Sequence, residues 1–178
     1  MKVRETKSKR YPVVAIPEQS GKKLRIPRQR AFNSEYIQKH GCSIVAECIG
    51  LQWLGIWKPM TSLQAWHRKH TPDRYHPKVT VSAVAEGIRE ISGASEREVV
   101  YYKRVTMERV ERSIRRGHLV IVELGNPIHT VVLIPDDGGE CWMASHGTVH
   151  RVAIKTVVSK ATTNPKYRGM VIVKDLEV

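Results

Sequence analysis

Cysteine is too scarce here to staple a fold. Cys42, Cys48 and Cys141 form an odd, sparse set, which excludes a disulfide framework of the kind small secreted domains use. Neither C-x-x-C nor the paired Cys/His spacing of a zinc finger occurs. No uninterrupted apolar run approaches the ~20 residues a bilayer span requires. The leading stretch "MKVRETKSKRYP" has charge but no apolar core behind it, so no standard secretory signal is read there. Cytoplasmic synthesis is the default expectation, with non-classical export or release by lysis left open. Internal repeats and low-complexity tracts are also missing.

Acidic residues are few, and they are fewest at the start. The formal net charge is +13, and up to Arg30 ten basic residues face only Glu5 and Glu18, so +8 of it lies in this segment. Residues 1–32 therefore read as a basic arm with a β-hairpin in "YPVVAIPEQSGKKLRIP", turning at Glu18–Gly21. Such an arm suits contact with nucleic acid or another polyanion, or equally a solvated terminus that aids solubility. Tyr11 is its one aromatic before Phe32, and no recognition motif accompanies the charge.

A hydrophobic fraction of 41% over 178 residues suits one globular domain. From Ser43, apolar residues recur at helical intervals to Leu54, with Gly55 as a stop. Thr61 and Gln64 have capping-box spacing before "SLQAWHRKH". "VSAVAEGIREISG" is a further amphipathic helix, and "TMERVERSIRRG" another, capped by Thr106. The second half changes character. "HLVIVEL", "IHTVVLI" and "ECWMASHG" read as strands, then "AIKTVVSKA" as a helix and "YRGMVIVKDL" as a last strand. Helices first and a mostly antiparallel sheet later make an α+β layout.

Two stretches carry chemistry. Gly41-Cys42 opens the first long apolar helix, and a thiol in a first helical turn is favoured as thiolate by the unpaired amides there. Gly41 would let backbone and substrate approach closely. Cys48, mid-helix among apolar residues, reads as core. A nucleophilic cysteine needs a base and the base an orienter. Of eight histidines, His129 begins a strand leading into the "PDDGG" turn. If that turn is centred between Asp137 and Gly138, paired residues sum to 275 and His129 faces His146, with Ser145 alongside. Either could orient the ring, since a register slip of one residue exchanges them. Each feature alone also fits a plain structural role, a small buried thiol or a hydrogen-bonding strand-end imidazole. A zinc site of Cys42, His129 and His146 is a further reading, although no closely spaced ligand pair anchors it; no other cofactor is called for. Of the tryptophans, Trp53, Trp57 and Trp66 read as core or cleft walls, and Trp142 lies two to three residues from Ser145 and His146.

From about Asn33 to the carboxyl end, the chain resembles the papain-like cysteine peptidases of the C39 type, in particular the C39-like group widespread in bacteria. The resemblance rests on "YIQKHGCSIVAECIGLQWLG", "GHLVIVELGNPIHTVVLI", "CWMASHG" and "YRGMVIVK". It implies a papain-like fold over 33–178, with a helical part packed against the sheet and a cleft between. It also implies Cys42 as nucleophile, His129 as general base and acid, and a peptide or protein substrate. An upstream glutamine usually donates to the oxyanion in this family, and Gln38 is the choice here, ahead of Gln29 and Asn33. The family's Asp or Asn in the second hairpin strand is replaced by "MASHG". That departure keeps open a catalytically inactive, papain-like binding module whose arm contacts a polyanion.

Overall fold

The computed structural model describes residues 22–136, 140–145 and 147–175, together with the backbone of 13–15. Strands β1 (Val13–Ala15) and β2 (Lys23–Arg25) pair antiparallel, and the expected Glu18–Gly21 turn lies outside the described residues. From β2 onward the basic segment is part of the packed body, because Leu24, Ile26 and Phe32 join the main core.

Helix α1 (Glu35–His40), capped by the Ser34 hydroxyl, runs through Gly41 into α2 (Cys42–Trp53). α2 is apolar on every side and correspondingly buried from Cys42 to Leu51, the pattern of a helix enclosed by neighbours. α3 (Met60–His70) and α4 (Val81–Ser92) pack against it, α4 being capped by Thr80 and ended by Gly93 at φ 73°. The expected Thr61–Gln64 capping box is not formed. Pro59 precedes α3 instead, and Gln64 turns inward to donate to the Tyr75 hydroxyl and accept from Ser34.

After α4 come β3 (Val99–Tyr102), α5 (Met107–Arg115), β4 (Leu119–Leu124), β5 (His129–Pro135), β6 (Cys141–Ser145), β7 (Thr148–Val152), α6 (Ile154–Ser159) and β8 (Met170–Val173). Six of the strands form one antiparallel sheet in the order β3-β8-β4-β5-β6-β7. Alternation along the strands divides two cores. Leu119, Ile121, Val132, Ile134, Ala144 and Val171 face α2 and α4, while Val120, Val122, Val131, Leu133 and Cys141 pack with α5 and α6. This double covering explains why "HLVIVEL" is continuously apolar.

The β5–β6 register corrects the expected one. Val132 pairs with Ala144 and Leu133 with Met143, so partners sum to 276 rather than 275. The ladder also stops short of His129, which pairs instead with Leu124 on β4. His146 lies outside the described residues. The tryptophans divide as well: Trp53 is core, but Trp57 is 41% exposed beside Arg25 rather than a core or cleft wall.

Candidate active site

Cys42 is the first residue of α2 and is buried at the point where that helix meets the sheet. Gly41 is required there by its own chain. A β-carbon would come within 2.4 Å of the Ile37 carbonyl oxygen, so α1 itself approaches this position closely. Two turns on, Cys48 is fully buried, and burial pushes its thiol up to about 12. Cys141, on the far face of the sheet, is raised to about 12 by the same cause. Both are held as neutral thiols at physiological pH.

The Cys42 sulfur is 3.8 Å from Thr130 Oγ1, on β5, one residue beyond His129. The start of α2 thus lies against the start of β5. The hydrogen-bond partner recorded for the sulfur, however, is a hydroxyl that sequence reasoning did not single out. Thr130 Oγ1 also lies 2.8 Å from Ser43 Oγ, 3.1 Å from Lys78 Nζ and 2.6 Å from Glu123 Oε2, and Lys78 and Glu123 are themselves ion-paired. All of these side chains are buried. Burial drives the Glu123 carboxyl above its ordinary range, with Lys78 opposing. Neither Lys78 nor Glu123 carried a sequence signal beyond being a charge in or beside an apolar stretch.

His129 Nε2 lies 2.5 Å from Ser145 Oγ, so Ser145 is one partner of the ring. Ser145 is fixed in turn by the Thr148 hydroxyl, which donates to its carbonyl at 2.6 Å across the tight β6–β7 turn. Gly147 in that turn has φ 77°, and a β-carbon on it would strike Arg28. Desolvation lowers His129 from 6.5 to about 4, reinforced by the charge of Lys78 and opposed by Glu123. The imidazole therefore lies within the field of the cluster that also holds the Cys42 sulfur.

That depression has a stability consequence. Between pH 6.5 and about 4 the unfolded chain binds a proton at this histidine that the folded chain does not. Stability from this group is fully present above 6.5, drains away as pH falls to about 4, and changes no further below. Melting temperatures of the wild type and His129→Gln, measured from pH 7.5 to 4, should show the wild type losing ground relative to the variant.

Gln38, the expected oxyanion donor, uses its side-chain amide on the Phe32 carbonyl at 2.5 Å, and its own carbonyl accepts from the buried Gln29. Asp136 is engaged by Trp142 and Arg151 at the other end of the hairpin. A second buried polar group was also missed. His67 bonds Glu47 through Nε2 and Thr71 through Nδ1, wholly inside the helical half. Gly87 leaves room for it, since a β-carbon there would lie 2.1 Å from Glu47 Oε1. Both ring nitrogens are committed, so His67 is structural. Among the described residues no cluster of three His, Cys, Asp or Glu side chains could hold a metal ion, and His146 lies outside them.

No protein-family model and no curated protein matches the chain. A solved structure does: a candidate C39-like peptidase from Bacillus anthracis superposes with a TM-score of 0.59 at 14% identity, over 84% of this chain and 94% of that one. The chain therefore has a mixed helix and antiparallel-sheet fold resembling that of a C39-like peptidase. No helix among the described residues is long and apolar enough to cross a membrane.

Proposed function

We propose that this chain is a cysteine peptidase or related amide hydrolase of papain-like type, working through Cys42, His129 and Ser145. One observation carries the reading. In a fold shared with a candidate C39-like peptidase, the thiol heading the central helix meets β5 at the residue next to His129, whose ring is held by Ser145. With Nε2–H donating to Ser145 Oγ, the lone pair sits on Nδ1, and proton exchange with Cys42 runs through that atom. The ring is neutral at pH 7 and able to accept a proton, but the desolvation that lowers it to about 4 also weakens it as a base, so the thiol proton passes to it only as attack on the substrate proceeds.

Cys42 sulfur attacks the substrate carbonyl carbon while its proton passes to His129. The oxyanion is held by the Cys42 backbone N–H and by the second amide proton of Gln38, the first being used on Phe32. His129 then protonates the departing amine, leaving a thioester that water hydrolyses. A polar groove of about 880 Å³, lined by Asn126, Ile128, Lys160, Thr162 and Asn164, lies along the β4–β5 turn, and neither Cys42 nor His129 is among its lining residues.

A second reading, an inactive binding module whose basic arm contacts a polyanion, is favoured by "MASHG", which holds Ser and His where the family has Asp or Asn. Iodoacetamide separates the two. At pH 7.5 the enzyme should be labelled at Cys42 well before Cys48 or Cys141, as read by peptide mass mapping, with loss of hydrolysis of a fluorogenic peptide library. Labelling of Cys42 no faster than the two raised thiols would leave the module.

A further inference from the structure

Burying a lysine beside a glutamate is costly, and a well-packed apolar pair in their place is often more stable. Lys78 and Glu123 are nevertheless enclosed directly behind the Cys42 sulfur, joined to it through one oxygen, Thr130 Oγ1. The proton inventory of that oxygen is restrictive. Lys78 can only donate, and an ionised carboxylate can only accept, so the single Thr130 proton goes to Glu123 Oε2. Ser43 must then donate to Thr130 as well, so that apart from the bond to Glu123 the oxygen Oγ1 acts as an acceptor, its two lone pairs shared among Lys78, Ser43 and the long 3.8 Å contact with the sulfur. Toward the sulfur this arrangement fits S–H and offers nothing to S⁻.

On the reading of Cys42 as nucleophile, we infer that Thr130 is a positioning residue with two settings, backed by the Lys78–Glu123 pair. At rest it accepts from the Cys42 thiol. When the thiol proton has passed to His129, the Thr130 hydroxyl rotates and donates to the sulfur, while Glu123 keeps Lys78 as its partner. No proton is gained or lost in that rotation. The buried pair holds the hydroxyl in its accepting state until sulfur charge appears, and it prevents Glu123 from being stranded when the hydroxyl turns away.

Thr130→Val keeps the shape and removes the hydroxyl; Thr130→Ser restores it. With iodoacetamide in excess at pH 7.5, Cys42 in the valine variant should react about ten-fold more slowly than in the wild type, the size of one lost charge-assisted hydrogen bond. The serine variant should return to within about two-fold. Wild-type reactivity in a valine variant that melts normally, or a serine variant as slow as valine, overturns the inference. Should the valine variant fail to fold, the wild type decides. The S–H stretching band in the infrared difference against Cys42→Ala must lie at the lowered frequency of a hydrogen-bonded thiol, and a band at the free-thiol position overturns it. Either result against Thr130 sinks this inference alone, whereas wild-type Cys42 labelling no faster than Cys48 sinks the assignment of the nucleophile.

Discussion

Cys42→Ala should abolish hydrolysis of any peptide the wild type cleaves, with kcat/KM down by roughly 10⁴-fold or more, while the protein melts within a few degrees of the parent. Alanine lacks the nucleophile, and the lost contact is a long sulfur–hydroxyl bond, so the structural cost is small beside the chemical one. His129→Ala should fall by a comparable factor, and the double variant should be no worse than either single one, because groups that act as a unit are not additive. Initial rates on a fluorogenic substrate, with circular dichroism as the control for folding, make the measurement. Full activity in Cys42→Ala would remove the proposed mechanism.

The largest effect on stability is expected from Lys78→Met. Glu123 is fully buried, and removing its ammonium partner leaves a carboxylate without compensation. Loss of one partner of a buried pair typically costs ~3–5 kcal/mol, and replacing both by apolar residues of similar volume is commonly neutral or better. Urea unfolding should therefore show Lys78→Met strongly destabilised and Lys78→Met with Glu123→Leu largely recovered. The deficit should also depend on pH. Burial already raises Glu123, and without Lys78 nothing with a full charge opposes it. A carboxyl raised in the folded state is relieved by protonation, so the single variant should lose stability as pH rises above about 4.5 and regain part of it below. A Lys78→Met variant as stable as the parent at pH 8 would show that the pair is solvated rather than enclosed.

Much of the architecture was legible because it follows from local periodicity. α2 and α4 announced themselves by apolar spacing, α5 by its Thr106 cap, and β4, β5, β6 and β8 by apolar runs between turn residues. β3 and β7 were not read; both lie at the margins of the sheet and carry fewer buried residues. α1 is a short polar helix held by its Ser34 cap and its junction with α2, and a short segment of that kind has little pattern to show.

By itself the chain determined which residues could bear a reactive thiol and a titratable ring: Gly41-Cys42 at a helix start and His129 at a strand start are local features. That Cys42 lies against Thr130, the residue after His129, was decided by sheet order and by α2 packing on β5, which couple residues some ninety positions apart. Register chose Ser145 as the ring's partner, because a shift of one place in a hairpin changes every pairing at once. The Lys78–Glu123–Thr130 cluster belongs wholly to the tertiary level. Charge in a sequence reads as surface, and only the segment before α4 closing over the β4–β5 hairpin, where Glu123 pairs with Thr130, could turn these side chains inward and give each a partner.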